Sequence, residues 1–174
     1  MEFNFFPDRR LTMDAWSDII SHLKWEDVTI LYVNPEDLAG LGYFIEKAYN
    51  AGISIGIEQL ESSDARSYRP ALGKLRDSGK LNYILHCEID ELQEILLQMQ
   101  QLGMLTANYN YFLTNLDAAT LPLQQFSYGK AKIVGIQLQN LQHDVQNDEA
   151  VLKTELALIA DAISMLSNTL KNFK

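Results

Sequence analysis

Three histidines and a single cysteine set the bounds on covalent and metal chemistry in this chain. His86, Cys87 and Glu88 stand side by side, the residue types of a thiolate nucleophile with a base next to it. Adjacent strand positions point to opposite faces, so the triplet does not assemble such a pair by itself, and a lone cysteine in an apolar run packs as a small hydrophobe. His22, His86 and His143 are scattered, with no HExxH or paired-cysteine spacing, which leaves a metal centre without a ligand set. Carboxylates gather at Glu36 and Asp37 and again at Asp90, Glu91 and Glu94. Both groups fall where a helix begins, and the free backbone amides there favour negative charge without a bound cation. Arg9 and Arg10 have the chemistry to hold a carboxylate or phosphate, but no glycine loop or second basic cluster accompanies them. GxGxxG, GxxxxGK(S/T) and GxSxG are all missing. No catalytic residue, metal or cofactor is expected.

The elements that would position any site follow from hydrophobic periodicity. Ala15, Trp16, Ile19, Ile20 and Leu23 recur at helical spacing, and Thr12 is the expected cap of a helix over about 12–24. VTILYV (28–33) is the short apolar run of a strand buried on both faces. Leu38, Leu41, Ile45 and Ala48 trace a second helix, with Gly40 and Gly42 inside it and Gly52 as its stop. Strands are expected at 53–59, 81–87, 110–115 and 132–138. The acidic, serine-rich turn at 61–65 leads into a helix through Leu72 and Leu75, and another runs from Glu88 to Leu102. A polar stretch over 139–148 precedes a long closing helix over 149–170. Strands alternating with helices predict an α/β fold: a doubly wound, mostly parallel five-stranded sheet with helices on both faces, one domain over 1–174.

Length and charge narrow the partners. A chain of 174 residues buries roughly 70 % of its extended surface in one core. A formal charge of -9 repels a nucleic-acid backbone, so nucleic acid is excluded as a partner. No run approaches the ~18 apolar residues of a membrane span, and the start lacks the pattern of a secretory signal, so direct membrane insertion by this chain is not expected. The large rings of Tyr109, Tyr111, Phe112, Trp16 and Trp25 fit either a core or a protein contact.

An ordered set of segments then resembles one family. LKWEDVTILY (23–32), YILHCEIDE (83–91), LQMQQLGMLTANYNYFLTNLD (97–117), FSYGKAKIVGIQLQN (126–140) and LKTELALIADA (152–162) are similar, in order and spacing, to lobe 2 of the amino-terminal domain of ionotropic glutamate receptors, closest to kainate-type subunits. The resemblance implies one lobe of a periplasmic-binding-protein-like fold, lying on the extracellular side of the plasma membrane in a parent receptor. It implies a non-enzymatic role in subunit assembly and gating modulation, with a solute-sensing lobe of the same fold as the alternative. Sister subunits, in a homo- or hetero-dimer, are the implied partners, together with a first lobe and a membrane region that this chain does not contain. By the same resemblance Leu96, Met99, Leu158 and Ile163 are the expected interface residues. Two departures stand out: only about 141–151 separates the last strand from the closing helix, where the family has a longer excursion, and no Asn-x-Ser/Thr glycosylation acceptor occurs.

Overall fold

The computed structural model describes residues 6–61, 67–138 and 153–172. Helix α1 (Arg9–Leu23) leads into β1 (Asp27–Tyr32), followed by α2 (Pro35–Ala39), α3 (Gly42–Asn50) and β2 (Ser54–Gln59). Next come α4 (Arg69–Asp77), β3 (Asn82–His86), α5 (Ile89–Gln101), β4 (Asn110–Leu113), two 3-10 turns, β5 (Lys132–Gly135) and α6 (Thr154–Asn172). All strand pairs are parallel, in the order β2-β1-β3-β4-β5. The chain therefore forms the expected α/β lobe, with its topological switch point between β1 and β3.

The three central strands are buried on both sides because each alternates two apolar sets. Register places Ile30 beside Ile84, Ile84 beside Phe112 and Phe112 beside Val134, forming one row across the sheet. That row packs beneath α1 and α3 with Met13, Trp16, Ile20 and Phe44. The alternate row, Leu31, Leu85 and Leu113 with Tyr83 and Tyr111, meets Leu72, Leu92, Leu96 and Met99 of α4 and α5. Each fully buried side chain of this size contributes about 1.5–3 kcal/mol of transfer free energy. The tyrosines are usable in the core because their hydroxyls find acceptors: Tyr111 donates to the Met104 carbonyl at 2.6 Å and Tyr83 to the Lys80 carbonyl at 2.9 Å. Their rings stack with centroids 5.7 Å apart. Tyr111, Phe112 and Trp16 are thus core residues, while Tyr109 and Trp25 pack half-buried at its margins.

Several boundaries differ from the sequence expectation, each for a local reason. Helix α1 starts at Arg9 because Asp8, not Thr12, is the cap: its carboxylate accepts from the backbone N–H groups of Arg10 (2.8 Å) and Leu11 (3.3 Å). Thr12 instead donates its hydroxyl proton to the Asp8 carbonyl at 3.1 Å. The expected single helix through Leu38 and Ala48 is two helices, with Gly40 ending α2 and Gly42 opening α3. At Gly40 a side chain would meet the Arg9 guanidinium at 3.1 Å, so the break also receives the start of α1. Gly52 does close α3, with φ of 80°. Strand β5 stops at Gly135 rather than 138, because its partner β4 ends at Leu113, the residue registered with Gly135. The turn at 62–65 and the stretch 139–152, including the expected start of the closing helix, lie outside the described residues.

One close approach ties the connections around β4 and β5 together. Thr106 and Lys130 form an antiparallel bridge, and a Cβ on Gly129 would lie 1.7 Å from the Leu105 carbonyl oxygen. Neither backbone can yield without breaking the bridge. Gly129→Ala should therefore destabilise the chain by about 1–3 kcal/mol or more. Urea unfolding checks this, and an unchanged midpoint would contradict the packing described here.

Candidate functional site

Two surfaces compete for function: the crevice at the carboxyl edge of the sheet, and the outward face of α6. At the switch point, the ends of β1, β3 and β4 and the starts of α1 and α2 surround a cavity of about 330 Å³. Arg9, Thr12 and Trp16 reach it from α1, Asp37 from α2, and His86 and Thr114 from the ends of β3 and β4. His86 Nδ1 lies 2.7 Å from Thr114 Oγ1, whose hydroxyl donates to the Leu85 carbonyl at 3.0 Å. The ring of Trp16 meets His86 edge-on at 5.6 Å, and its indole N–H has no partner among the described residues. Burial lowers the His86 pKa below 6.5, against the opposing pull of Asp37. The ring is therefore held neutral.

The sequence candidates for chemistry disperse in three dimensions. Cys87 is buried, and desolvation pushes its thiol pKa up, the reverse of what a nucleophile requires. The two arginines part: Arg9 lines the crevice, whereas the Arg10 guanidinium sits 6.0 Å from the Tyr43 ring centroid. Glu91 accepts from the Glu88 backbone N–H at 3.3 Å, closing the start of α5, and Glu94 accepts from Gln98 Nε2 at 2.6 Å. Asp14 is engaged with Lys47 at 2.6 Å and accepts from the Tyr43 hydroxyl at 2.9 Å, linking α1 to α3. Among the described residues no group of three or more His, Cys, Asp or Glu converges as a metal site, and no helix is long and apolar enough to cross a membrane.

The expected interface residues divide sharply. Leu96 and Met99 are both 0 % exposed in the core beneath the sheet, so their side chains are consumed by the lobe itself. Leu158 is half-buried, and Ile163 is 61 % exposed. Helix α6 is fastened at its first turn, where the Thr154 backbone N–H donates to Asp117 Oδ1 at 2.6 Å and Ala157 is buried. From Ile163 to Asn168 every residue is exposed. Leu156, Ile159 and Leu166 are more than half exposed as well, residues that the sequence reading passed over. Their 3-4-3 spacing with Ile163 was the available signal. The crevice residues Trp16 and Thr114 gave no such signal, because only the packing of α1 over the parallel strands brings them to one edge.

The parallel sheet, its helices on both faces and the crevice at its switch point define a periplasmic-binding-protein-like lobe. Residues 3–173 match the family described as the receptor family ligand binding region, and the chain belongs to it. It is 26 % identical over 185 aligned positions to "Glutamate receptor ionotropic, kainate 1" of Mus musculus, covering 94 % of this chain and 22 % of that protein. The same receptor from Homo sapiens is also 26 % identical, with 94 % of this chain and 20 % of the relative covered. The Rattus norvegicus receptor is 25 % identical, with 94 % and 19 % covered. The chain thus spans about a fifth of the length of the curated relatives it matches.

The neutral His86 gives the crevice a pH signature. Its pKa is depressed on folding, so the unfolded chain binds the proton more tightly, and stability rises with pH until about 6.5, the ordinary value, is passed. On acidification from about pH 7 to about pH 5, wild type should lose more stability than His86→Gln. Parallel urea midpoints for the two proteins across that range would contradict a neutral, half-buried His86.

Proposed function

We propose that this chain is the second lobe of a kainate-type ionotropic glutamate receptor amino-terminal domain, lying on the extracellular side of the membrane in a parent receptor. Its role in this reading is to pair with a sister subunit, as a homo- or hetero-dimer, and so to support assembly and modulate gating. Membership of the receptor family sets the class, and the relatives' names point to the receptor type. The observation that carries the assembly role is the exposed apolar face of α6, where Ile163 stands 61 % exposed on a helix whose first turn is fastened to Asp117. Soluble monomers seldom keep a contiguous apolar stripe in water, and such stripes mark protein contacts.

The crevice serves this role less well as a ligand trap. A small-molecule site encloses most of its ligand, whereas the described residues around Arg9, Asp37 and His86 supply one wall of a cleft. Their charges are also mixed, Arg9 facing Glu36 and Asp37, which suits a solvated edge. Assembly needs no second wall.

Sedimentation velocity over a range of protein concentrations tests the proposal. The wild-type mass should rise with concentration toward a dimer, and Ile163→Glu should remain monomeric while keeping the wild-type circular dichroism spectrum. Glutamate at this exposed position leaves the core untouched, so loss of the dimer would report the surface. A strict monomer at the highest concentration, or an Ile163→Glu protein that dimerises as well as wild type, would overturn it.

A further inference from the structure

Strand β2 ends one side of the sheet, and no strand pairs with its outer edge among the described residues. The Ser54 N–H donates to the Glu26 carbonyl at 2.9 Å and the Leu60 N–H to the Tyr32 carbonyl at 2.7 Å. Ladder bonds recur at every second residue, so Gly56 and Glu58 also turn toward β1, and the backbone N–H and C=O groups of Ile55, Ile57 and Gln59 point outward. Exposed edges are commonly blunted by a proline, a bulge or a very short strand. Here the register with β1 runs unbroken from Ser54 to Gln59, without proline, and Ile57 stands 40 % exposed.

A cavity of about 560 Å³, larger than the crevice, lies between β2 and α4. Leu60, Ala71 and Leu75 give it apolar walls, Glu58 and Glu61 line it from the strand side, and Lys74 and Lys80 from α4 and the turn after it. A side chain at Gly56 would meet Lys80 Nζ at 2.6 Å, so the glycine lets that amine lie across the face of the strand. Glu58 follows two residues later on the same face, about 7 Å along. Among the described residues the ion pairs are Lys47 with Asp14 and Arg76 with Asp77, so none of the four groove charges is neutralised by a neighbour. Cation and carboxylate in sequence along an open strand complement a chain that carries an acid and a base on one face.

We propose that the β2 edge receives an extended peptide segment of another protein as an added strand. Its backbone completes the hydrogen bonds of Ile55, Ile57 and Gln59, which supplies affinity, and its side chains supply specificity. An acidic residue sits at Lys80 and Lys74, a basic residue about two positions along meets Glu58 and Glu61, and apolar residues between them lie beside Ile57. Neither edge strand of a second copy offers both charges, since β2 (SIGIEQ) has no base and β5 (KIVG) has no acid. The contact lies on a different surface from α6 and does not depend on the assembly reading.

Fluorescence anisotropy on the full chain tests it with three dye-labelled, valine-rich peptides. One places a glutamate two positions before a lysine, the second reverses that order, and the third is the better binder of the two with N-methyl groups along its backbone. One order should bind at least about ten-fold more tightly than the other, and N-methylation should abolish binding. In a charge-swapped chain carrying Glu58→Lys, Glu61→Lys, Lys74→Glu and Lys80→Glu, all exposed positions, the preferred order should reverse while net charge and circular dichroism stay those of wild type. Ile163→Glu should bind the peptides as wild type does, which separates this contact from the α6 surface. Binding of neither peptide, equal binding of the N-methylated one, or a folded swapped chain that keeps the wild-type preference would each overturn the proposal. A wild-type dimer lost in the swapped chain, with no peptide bound, would assign the edge to a second copy and overturn it too. If the swapped chain does not fold, the wild-type preference and its loss on N-methylation decide.

Discussion

A parallel sheet whose central strands carry apolar side chains on both faces has to be covered twice, and this requirement organises the rest of the molecule. Ile30, Ile84 and Phe112 face one way and Leu31, Leu85 and Leu113 the other, in rows set by register. Helices α1 and α3 seal the first row, and α4 and α5 seal the second. Because the strands all point the same way, their carboxyl ends meet at one edge, which creates the crevice at the switch point as a by-product of topology.

Covering the sheet decides which apolar helix faces remain for partners. The stripe of α5 is spent inward, and Leu96 and Met99 have no accessible surface left. Helix α6 arrives after both faces are already occupied. Its first turn has a foothold through the Asp117 carboxylate and Ala157, while Leu156, Ile159, Ile163 and Leu166 stay more than half exposed. An isolated helix gains little from propensity alone, so its natural stabilisation is another packed surface.

Much of this was legible in the residues. Short apolar runs marked all five strands, the glycine at position 52 marked the end of a helix, and alternation gave the parallel sheet. What escaped was information held in three-dimensional competition. Asp8 outcompeted Thr12 as a cap, since a carboxylate one turn earlier could reach two free amides. The division of α2 from α3 falls at Gly40, where Arg9 packs closely, a contact between segments far apart in sequence. Leu96, Met99 and Ile163 looked equivalent as apolar helix positions, and only the prior claim of the sheet on α5 separated them. The crevice was invisible because Trp16, His86 and Thr114 converge through tertiary register and follow no local pattern.

The central claim is that the outward face of α6 is an assembly surface, and amide hydrogen exchange on the wild-type chain at low and high protein concentration tests it most directly. Concentration-dependent slowing of exchange confined to α6, with β1, β3 and β4 protected equally at both concentrations, is the predicted result. Exchange in α6 that is the same at both concentrations would contradict it.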